Sequence, residues 1–301
     1  MIRRAARVAG APITWGVCEV PGWGCQLGCD RVLEEATSLG LQAIELGPRG
    51  FLPDDPGEVK RSLAPHRLEL AAGFVPAVLH RREPREEVLR ETAAAADTLA
   101  GAGATVMVLA AELGNGGYER SAELSTTEWA TLLDGLDRLR DIGAARNLEV
   151  VLHPHYGTAV ASAEQVQRVL SRTDVPLCLD TGHLMVSGAD PLEITQAADG
   201  RIGHVHLKDV DAALAERVRR GELGYREAVA VGLYRPLGEG DAQIGRVLAR
   251  LEGRGYAGWY VLEQDVVLDQ VPQPGEGPVA SARQSLDYFH RTIDECRLST
   301  S

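Results

Sequence analysis

His204-Val205-His206-Leu207-Lys208-Asp209 reads as a short β-run that alternates histidines with apolar residues and breaks into charge at its C-terminal end. The chain repeats the arrangement. Glu149-Val-Val-Leu152 runs into His153-Pro-His155, Pro176-Leu-Cys-Leu179 into Asp180-Thr-Gly-His183, and Trp259-Tyr-Val-Leu262 into Glu263. Five of the eight histidines thereby fall between positions 153 and 206. Imidazole and carboxylate are side chains that hold divalent metals, and a parallel α/β barrel carries its chemistry at the C-terminal ends of its strands. The pattern predicts a metal site assembled from strand ends.

Working outward, short β-branched runs alternate along the chain with longer Ala/Leu/Arg/Glu stretches of helical period. The predicted strands are 12–15, 43–46, 71–78, 105–111, 149–152, 176–179, 204–207 and 259–262. The predicted helices are 30–39, 57–64, 85–101, 126–146, 162–171, 191–198, 244–252 and 278–296. Thr126-Thr-Glu and Ser162-Ala-Glu read as N-caps with acidic first turns, and Gly40, Gly103 and Gly200 sit where C-terminal glycines belong. Eight such repeats are the signature of a closed (β/α)8 TIM barrel, and the expected organisation is one domain over 1–301. Two irregular loops follow strands and so belong to the catalytic face: a glycine-rich stretch between Trp15 and Asp30, with Trp23 near its tip, and a polar, helical insertion between Lys208 and Asp241.

Composition limits the partners. The formal charge is −12 and no Lys/Arg-rich segment stands out, so nucleic acid is not expected. Of 31 basic residues only Lys60 and Lys208 are lysines, which draws notice to Lys208 inside a histidine motif. The basic start, Met1-Ile-Arg-Arg, meets Gly10-Ala-Pro without the apolar core of a signal peptide, and no run approaches a membrane span. A cytoplasmic protein with free thiols is expected: Cys25 and Cys29 lack the spacing of a zinc knuckle or redox pair.

His153 and His155 stand at i and i+2, so both can face the barrel mouth, although both need not bind metal. His206, nearer its strand end than His204, is the better ligand candidate, and His204 is left to the core. Asp180 and Glu263 each follow a fully apolar run. A carboxylate there is costly to bury unpaired, and a shared cation relieves it.

Ala11-Pro-Ile-Thr-Trp-Gly-Val17, Ile44-Glu-Leu-Gly-Pro-Arg-Gly-Phe-Leu-Pro53, His153-Pro-His-Tyr-Gly-Thr158, Leu179-Asp-Thr-Gly-His183, His204-Val-His-Leu-Lys-Asp209 and Pro236-Leu-Gly-Glu-Gly-Asp241 together resemble the xylose isomerase-like sugar isomerase/epimerase superfamily. Within it they look most like the inosose (2-keto-myo-inositol) dehydratases of inositol catabolism. The resemblance implies a divalent ion, Mn2+ or Co2+ with Fe2+ or Zn2+ as alternatives, held by His153, Asp180, His206 and Glu263. It also implies a small keto-polyol substrate, dehydrated to a dione through a metal-stabilised enediolate. Many relatives carry glutamate where this chain has His153. The replacement removes a possible second base, which weakens an isomerase or epimerase mechanism and favours the lyase.

The remaining roles follow from that reading. His155 resembles the acid/base histidine of related dehydratases. Lys208 either stabilises the developing oxyanion, protonates the leaving hydroxyl, or pairs with Asp209 at the rim. Glu263 counts among the catalytic groups as well as the ligands. His183 is expected on substrate hydroxyls, and Glu45 either there or on Arg49. Trp15 and Trp23 either stack on the substrate ring or pack the core, and Glu239 is assigned to the pocket. A 3-dehydroshikimate-type dehydratase would want an arginine cluster that the sequence does not locate, and a non-catalytic binder would have no use for the histidine and lysine beside the ligands. No membrane partner is expected; a homo-oligomer is compatible with the surface loops of a barrel.

Overall fold

The computed structural model describes residues 5–83, 85–114, 117–119 and 122–298, so the charged start at Met1–Arg4 lies outside the described residues. Nine parallel strands form one sheet: β1 (Arg7–Gly10), β2 (Ala43–Ile44), β3 (Glu69–Leu70), β4 (Ala72–Ala77), β5 (Val106–Ala111), β6 (Glu149–Leu152), β7 (Leu177–Asp180), β8 (Ile202–Leu207) and, after a small antiparallel pair β9 (Asp209–Val210) and β10 (Tyr234–Arg235), β11 (Trp259–Leu262). Their order is β3-β2-β1-β11-β8-β7-β6-β5-β4. β3 and β4 flank Ala71 and make up a single stave. Ala71 N donates to the Ile44 carbonyl at 2.9 Å and Leu46 N to that of Ala72 at 2.9 Å. The sheet thus closes into an eight-staved barrel, as the alternating pattern predicts. β5 is buried along all six residues, as a strand covered on both faces must be.

The first stave departs from the expectation. Residues 12–15 form a 3-10 turn, Pro12–Trp15, and the strand lies earlier, at Arg7–Gly10. Proline offers no N–H to a ladder and fixes φ, so it suits the turn better than a strand paired on both sides. Gly16 closes the turn in the left-handed region at φ 77°. β1 escapes the pattern because an arginine and two small residues carry little β signal.

The predicted helices appear within two residues of their expected bounds. Pro278–Leu298 is one of them, and Thr126–Ala144 another. The cap of the latter is Ser125, one residue earlier than expected, in a capping box with Glu128; Ser162 makes the same box with Gln165. A short helix, Thr181–Val186, follows β7 directly and was not legible. Its N-cap is Asp180, whose Oδ1 accepts from the His183 backbone N at 2.7 Å. The insertion after β8 is helical as expected, with Ala212–Arg219 and Tyr225–Ala230. All five cysteines are free. Among the described residues no helix is long and apolar enough to cross a membrane.

Asp209 ties the insertion back to the barrel. Its buried carboxylate accepts from the backbone N–H groups of Gly238 at 2.8 Å, Gly240 at 3.1 Å and Ala242 at 2.9 Å. A Cβ at Gly240 would stand 2.5 Å from Asp209 Oδ1, so the turn can approach only as glycine. Asp209→Ala should therefore lower the unfolding free energy by about 3 kcal/mol, because several buried donors lose their acceptor at once; denaturant titration showing a loss under about 1 kcal/mol would contradict this anchoring.

Candidate metal and catalytic site

His204, His206 and Lys208 alternate along and beyond β8, so all three point to the interior side of the stave. The parallel register sets Asp180 opposite His206 and His206 opposite Val261, which brings Glu263 to the same level. His153 enters from the end of β6. Asp180 Oδ2 lies 3.1 Å from His153 Nε2, 3.5 Å from His206 Nδ1 and 3.5 Å from Lys208 Nζ. Glu263 Oε2 lies 2.9 Å from His206 Nδ1 and 3.2 Å from Lys208 Nζ. The four expected ligand residues are thus brought together, all buried or nearly so.

Two overlapping groups here, Asp180–His206–Glu263 and His153–Asp180–His183, have ligand atoms within 4.8 Å of one another and could hold a metal ion. The chemistry of the donors fits such an ion. His206 Nδ1 and Glu263 Oε2 are fully shielded from solvent, yet neither has a hydrogen-bond partner of acceptable direction, despite their short separation. A divalent ion held between them would give both atoms a partner. The charge fits as well: Asp180, Glu263 and Asp265 surround the single ammonium of Lys208, leaving the cluster short of positive charge.

The other ring nitrogen of His206 explains Glu45. Glu45 Oε1 accepts from His206 Nε2 at 3.0 Å and from His204 Nε2 at 2.9 Å. Arg49 instead reaches Asp54 at 3.5 Å on the surface. Glu45 thus binds neither Arg49 nor a free hydroxyl through that oxygen; it orients two imidazoles, the arrangement that fixes the tautomer of a ligating histidine. His204, expected in the core, is fully buried there with this bond. Around His206, burial works against the charged ring, but the Glu263 and Glu45 carboxylates beside it raise its pKa well above the ordinary imidazole value. A proton or a metal ion at Nδ1 answers the same field. The nearby Cys178 thiol is pushed up to about 11 by burial and stays protonated.

Lys208 does not pair with Asp209, because adjacent residues of an extended chain face opposite ways. Its Nζ lies 2.9 Å from Asp265 Oδ1 and donates to His183 Nε2 at 2.9 Å. Burial alone would favour the neutral amine; Asp180, Asp265 and Glu263 overcome it and raise the pKa well above the ordinary lysine value. His155 hydrogen-bonds through Nδ1 to the Tyr156 carbonyl at 2.7 Å. A carbonyl only accepts, so Nδ1 carries the proton and Nε2 keeps its lone pair. Burial, reinforced by His153 and Lys208, holds the pKa of His155 well below 6.5, so the ring is neutral at pH 7.

These groups face a cavity of about 700 Å3, lined among others by His153, His155, His183, Lys208 and Trp23. Two expected pocket residues are elsewhere. Trp15 is fully buried in the core, its Nε1 donating to Glu35 Oε2 at 2.8 Å. Glu239 is exposed on the turn that wraps Asp209, where its backbone N bonds to the Pro236 carbonyl at 3.0 Å. The side chains that sequence reasoning missed are Asp265, Tyr225 and Tyr234. Tyr225 OH donates to Asp265 Oδ2 at 3.1 Å and meets Tyr234 OH at 3.0 Å, and Tyr234 OH stands 3.4 Å from His183 Nδ1. Burial and Glu263 raise the Asp265 pKa to about 6 against the pull of Lys208. The spacing Glu263-Gln-Asp265 repeats the two-residue step of the histidine pairs and would have flagged it; no local signal marks the tyrosines.

A model of the xylose isomerase-like TIM barrel family matches residues 33–292. Inosose dehydratase of Geobacillus thermodenitrificans is 32% identical over 266 residues, covering 85% of this chain and 88% of that protein. Inosose dehydratase of Geobacillus kaustophilus is 32% identical over 299 residues, covering 95% and 94%. The crystal structure of a probable 3-DHS dehydratase from Bacillus anthracis superposes with a TM-score of 0.69 at 16% identity, covering 94% of this chain and 98% of that one, a likeness of fold.

The placement of Trp15 has a direct test. Trp15→Phe should cost about 1–3 kcal/mol of stability through the lost bond to Glu35 while ligand affinity and turnover stay at wild-type values; a variant of unchanged melting temperature with weakened ligand binding would return Trp15 to the pocket.

Proposed function

Because this chain belongs to the xylose isomerase-like TIM barrel family, we propose that it is a metal-dependent hydro-lyase that removes water from a cyclic keto-polyol of the 2-keto-myo-inositol type. The observation that carries the reading is the convergence of His153 Nε2, Asp180 Oδ2, His206 Nδ1 and Glu263 Oε2, with His206 Nδ1 and Glu263 Oε2 lacking aligned partners, beside a neutral His155. A divalent ion held by these four, Mn2+ or Co2+ by the expectation from sequence, would supply the Lewis acidity that acidifies the C–H next to the ketone.

The side chains account for the rest. His155 Nε2 takes the α-proton, and its lowered pKa keeps it in the basic form. The same imidazolium then returns that proton to the departing β-hydroxyl. A C–H and a C–O bond break, a C=C bond forms, and water leaves. Lys208, held protonated by three carboxylates, sets a fixed positive charge beside the oxygen that gains negative charge. His183 accepts from Lys208 through Nε2, which leaves its Nδ1–H for Tyr234 or a substrate hydroxyl. Trp23, whose Nε1 donates to the Val266 carbonyl at 2.9 Å, walls the cavity with Tyr225, their ring centres 6.4 Å apart. The inosose dehydratase names of the relatives support the substrate class. His153 supports the lyase over a two-carboxylate epimerase, since Asp180 and Glu263 both already face cationic neighbours.

Incubating the metal-loaded protein with 2-keto-myo-inositol should give an ultraviolet-absorbing dione; interconversion of stereoisomers without loss of water would sink the lyase. His206→Ala should abolish metal binding, whereas His155→Ala should keep the metal and lower kcat by roughly 100- to 10,000-fold. Metal loss in the His155 variant would overturn the division of roles. Glu45→Gln should weaken metal affinity by roughly 10- to 100-fold in a chelator competition, as loss of a carboxylate behind a ligating histidine does; unchanged affinity would make Glu45 a packing residue only.

A further inference from the structure

His155 stands beyond the end of β6, where its own chain does little to aim it. The Nδ1 bond to the neighbouring Tyr156 carbonyl fixes the tautomer, but it joins the ring only to its own loop. What holds the ring in place is its surroundings. Its centre lies 3.6 Å from that of His183, 4.2 Å from Tyr118, 5.4 Å from His153 and 6.0 Å from Phe74. Phe74 lies on β4, His153 directly follows β6, and His183 belongs to the short helix after β7. Tyr118 comes instead from the connection between β5 and the helix Thr126–Ala144.

Residues 118 and 119 are pinned from three sides. The Tyr118 backbone lies against Gly157: a Cβ there would stand 2.1 Å from the Tyr118 carbonyl oxygen, and Gly157 itself has φ 77°, so the loop of His155 admits this approach only as glycine. The Tyr118 hydroxyl donates at 2.7 Å to Oε1 of Glu19, in the glycine-rich stretch after Trp15. Glu119 accepts through its carboxylate from the backbone N–H groups of Tyr225 at 2.8 Å and Arg226 at 3.1 Å, where the helix Tyr225–Ala230 of the insertion begins. The tyrosine is thereby buried, and it lines the cavity with His155. A ring so fixed confines the imidazole without competing for its lone pair, because its one hydroxyl proton is spent on Glu19.

We propose that Tyr118 is a positioning residue for the general base: its ring holds the His155 imidazole with Nε2 turned towards the reacting end and keeps bulk water off it. The inference rests on the proposed function for the role of His155, and it adds no bond-making step. Proton transfer needs the base within hydrogen-bond reach of the proton it takes, and a misplacement of about 1 Å costs roughly 100-fold in rate. Through Gly157, Glu19 and Tyr225, the placement of one imidazole depends on three loops besides the one that carries Tyr118.

Substitutions in the full, metal-loaded chain test it. Tyr118→Leu should lower kcat for 2-keto-myo-inositol roughly 10- to 100-fold with KM and bound metal unchanged, whereas Tyr118→Phe, which keeps the ring, should turn over as the wild type does. Independently of turnover, diethyl pyrocarbonate should modify His155 several-fold faster in Tyr118→Leu than in the wild type or Tyr118→Phe, as read by mass spectrometry of the peptide that contains it. Gly157→Ala, which drives the Tyr118 backbone away, should reproduce both effects and carries the test if Tyr118→Leu does not fold. Wild-type kcat in Tyr118→Leu or Gly157→Ala, unaltered modification of His155, equal losses in the leucine and phenylalanine variants, or a leucine variant that has lost its metal would overturn the positioning role. A wild-type protein that forms no dione, with the modification rates as expected, would sink the hydro-lyase reading and leave the Tyr118 contact standing; unaltered modification together with no dione would overturn both.

Discussion

Several carboxylates are buried at one end of this barrel, and the cations that compensate them organise everything around them. Asp180, Glu263 and Asp265 converge on the Lys208 ammonium, and Glu45 lies behind His206 and His204. An unpaired buried carboxylate costs several kcal/mol or takes up a proton. Only Asp265, the one whose pKa rises to about 6, moves towards protonation. Asp180, Glu45 and Glu263 are held below the usual carboxylate range, burial being outweighed by Lys208 and the imidazoles. Such a cluster stores a demand for positive charge at a fixed place, which is what a metal site requires of its protein.

The alternation of an extended chain divides that demand cleanly. Lys208 and Asp209 are neighbours, yet one serves the mouth and the other the wall. Lys208 joins the carboxylates inside, while Asp209 gathers the N–H groups of the Pro236–Asp241 turn outside. The insertion is held by that second set of bonds, and through it Tyr225 and Tyr234 reach His183 and Asp265. Stability and chemistry thus meet at a single peptide bond without sharing a side chain.

How much of this was legible depended on whether the signal was local. β5 to β8 and β11 could be read because buried parallel strands are apolar runs, and their polar ends stand out by contrast. β1 could not, since Arg7-Val-Ala-Gly10 has almost no β character and gains its ladder from β11 and β2. The four ligand candidates were legible because His153, Asp180 and Glu263 each break an apolar run and His206 alternates with apolar residues. Trp15 was left between pocket and core and Glu239 was misplaced for the opposite reason: an aromatic and an acid in turns suit a pocket and a scaffold equally, and only the bond to Glu35 and the wrap around Asp209 decide. Tyr225 and Tyr234 were beyond reach, because their positions depend on how a long insertion folds back.

The two sides of the barrel mouth differ in chemistry. The reacting side draws on β6, β7, β8 and β11, whose ends carry histidine and carboxylate. The opposite side draws on β4, whose inward-facing Ala72 and Phe74 carry no charge, and on β2, whose Glu45 turns towards His206, while Leu46 and Val75 face the helices. A site built from opposite staves can hold charge at one wall and none at the other, because the low dielectric that strengthens Lys208 and the histidines is supplied in part by Phe74, whose ring stands against His153 and His155. The uncharged side of the mouth therefore acts on Asp180, Glu263 and Lys208 without touching them: each apolar side chain there takes the place of water that would screen their charges.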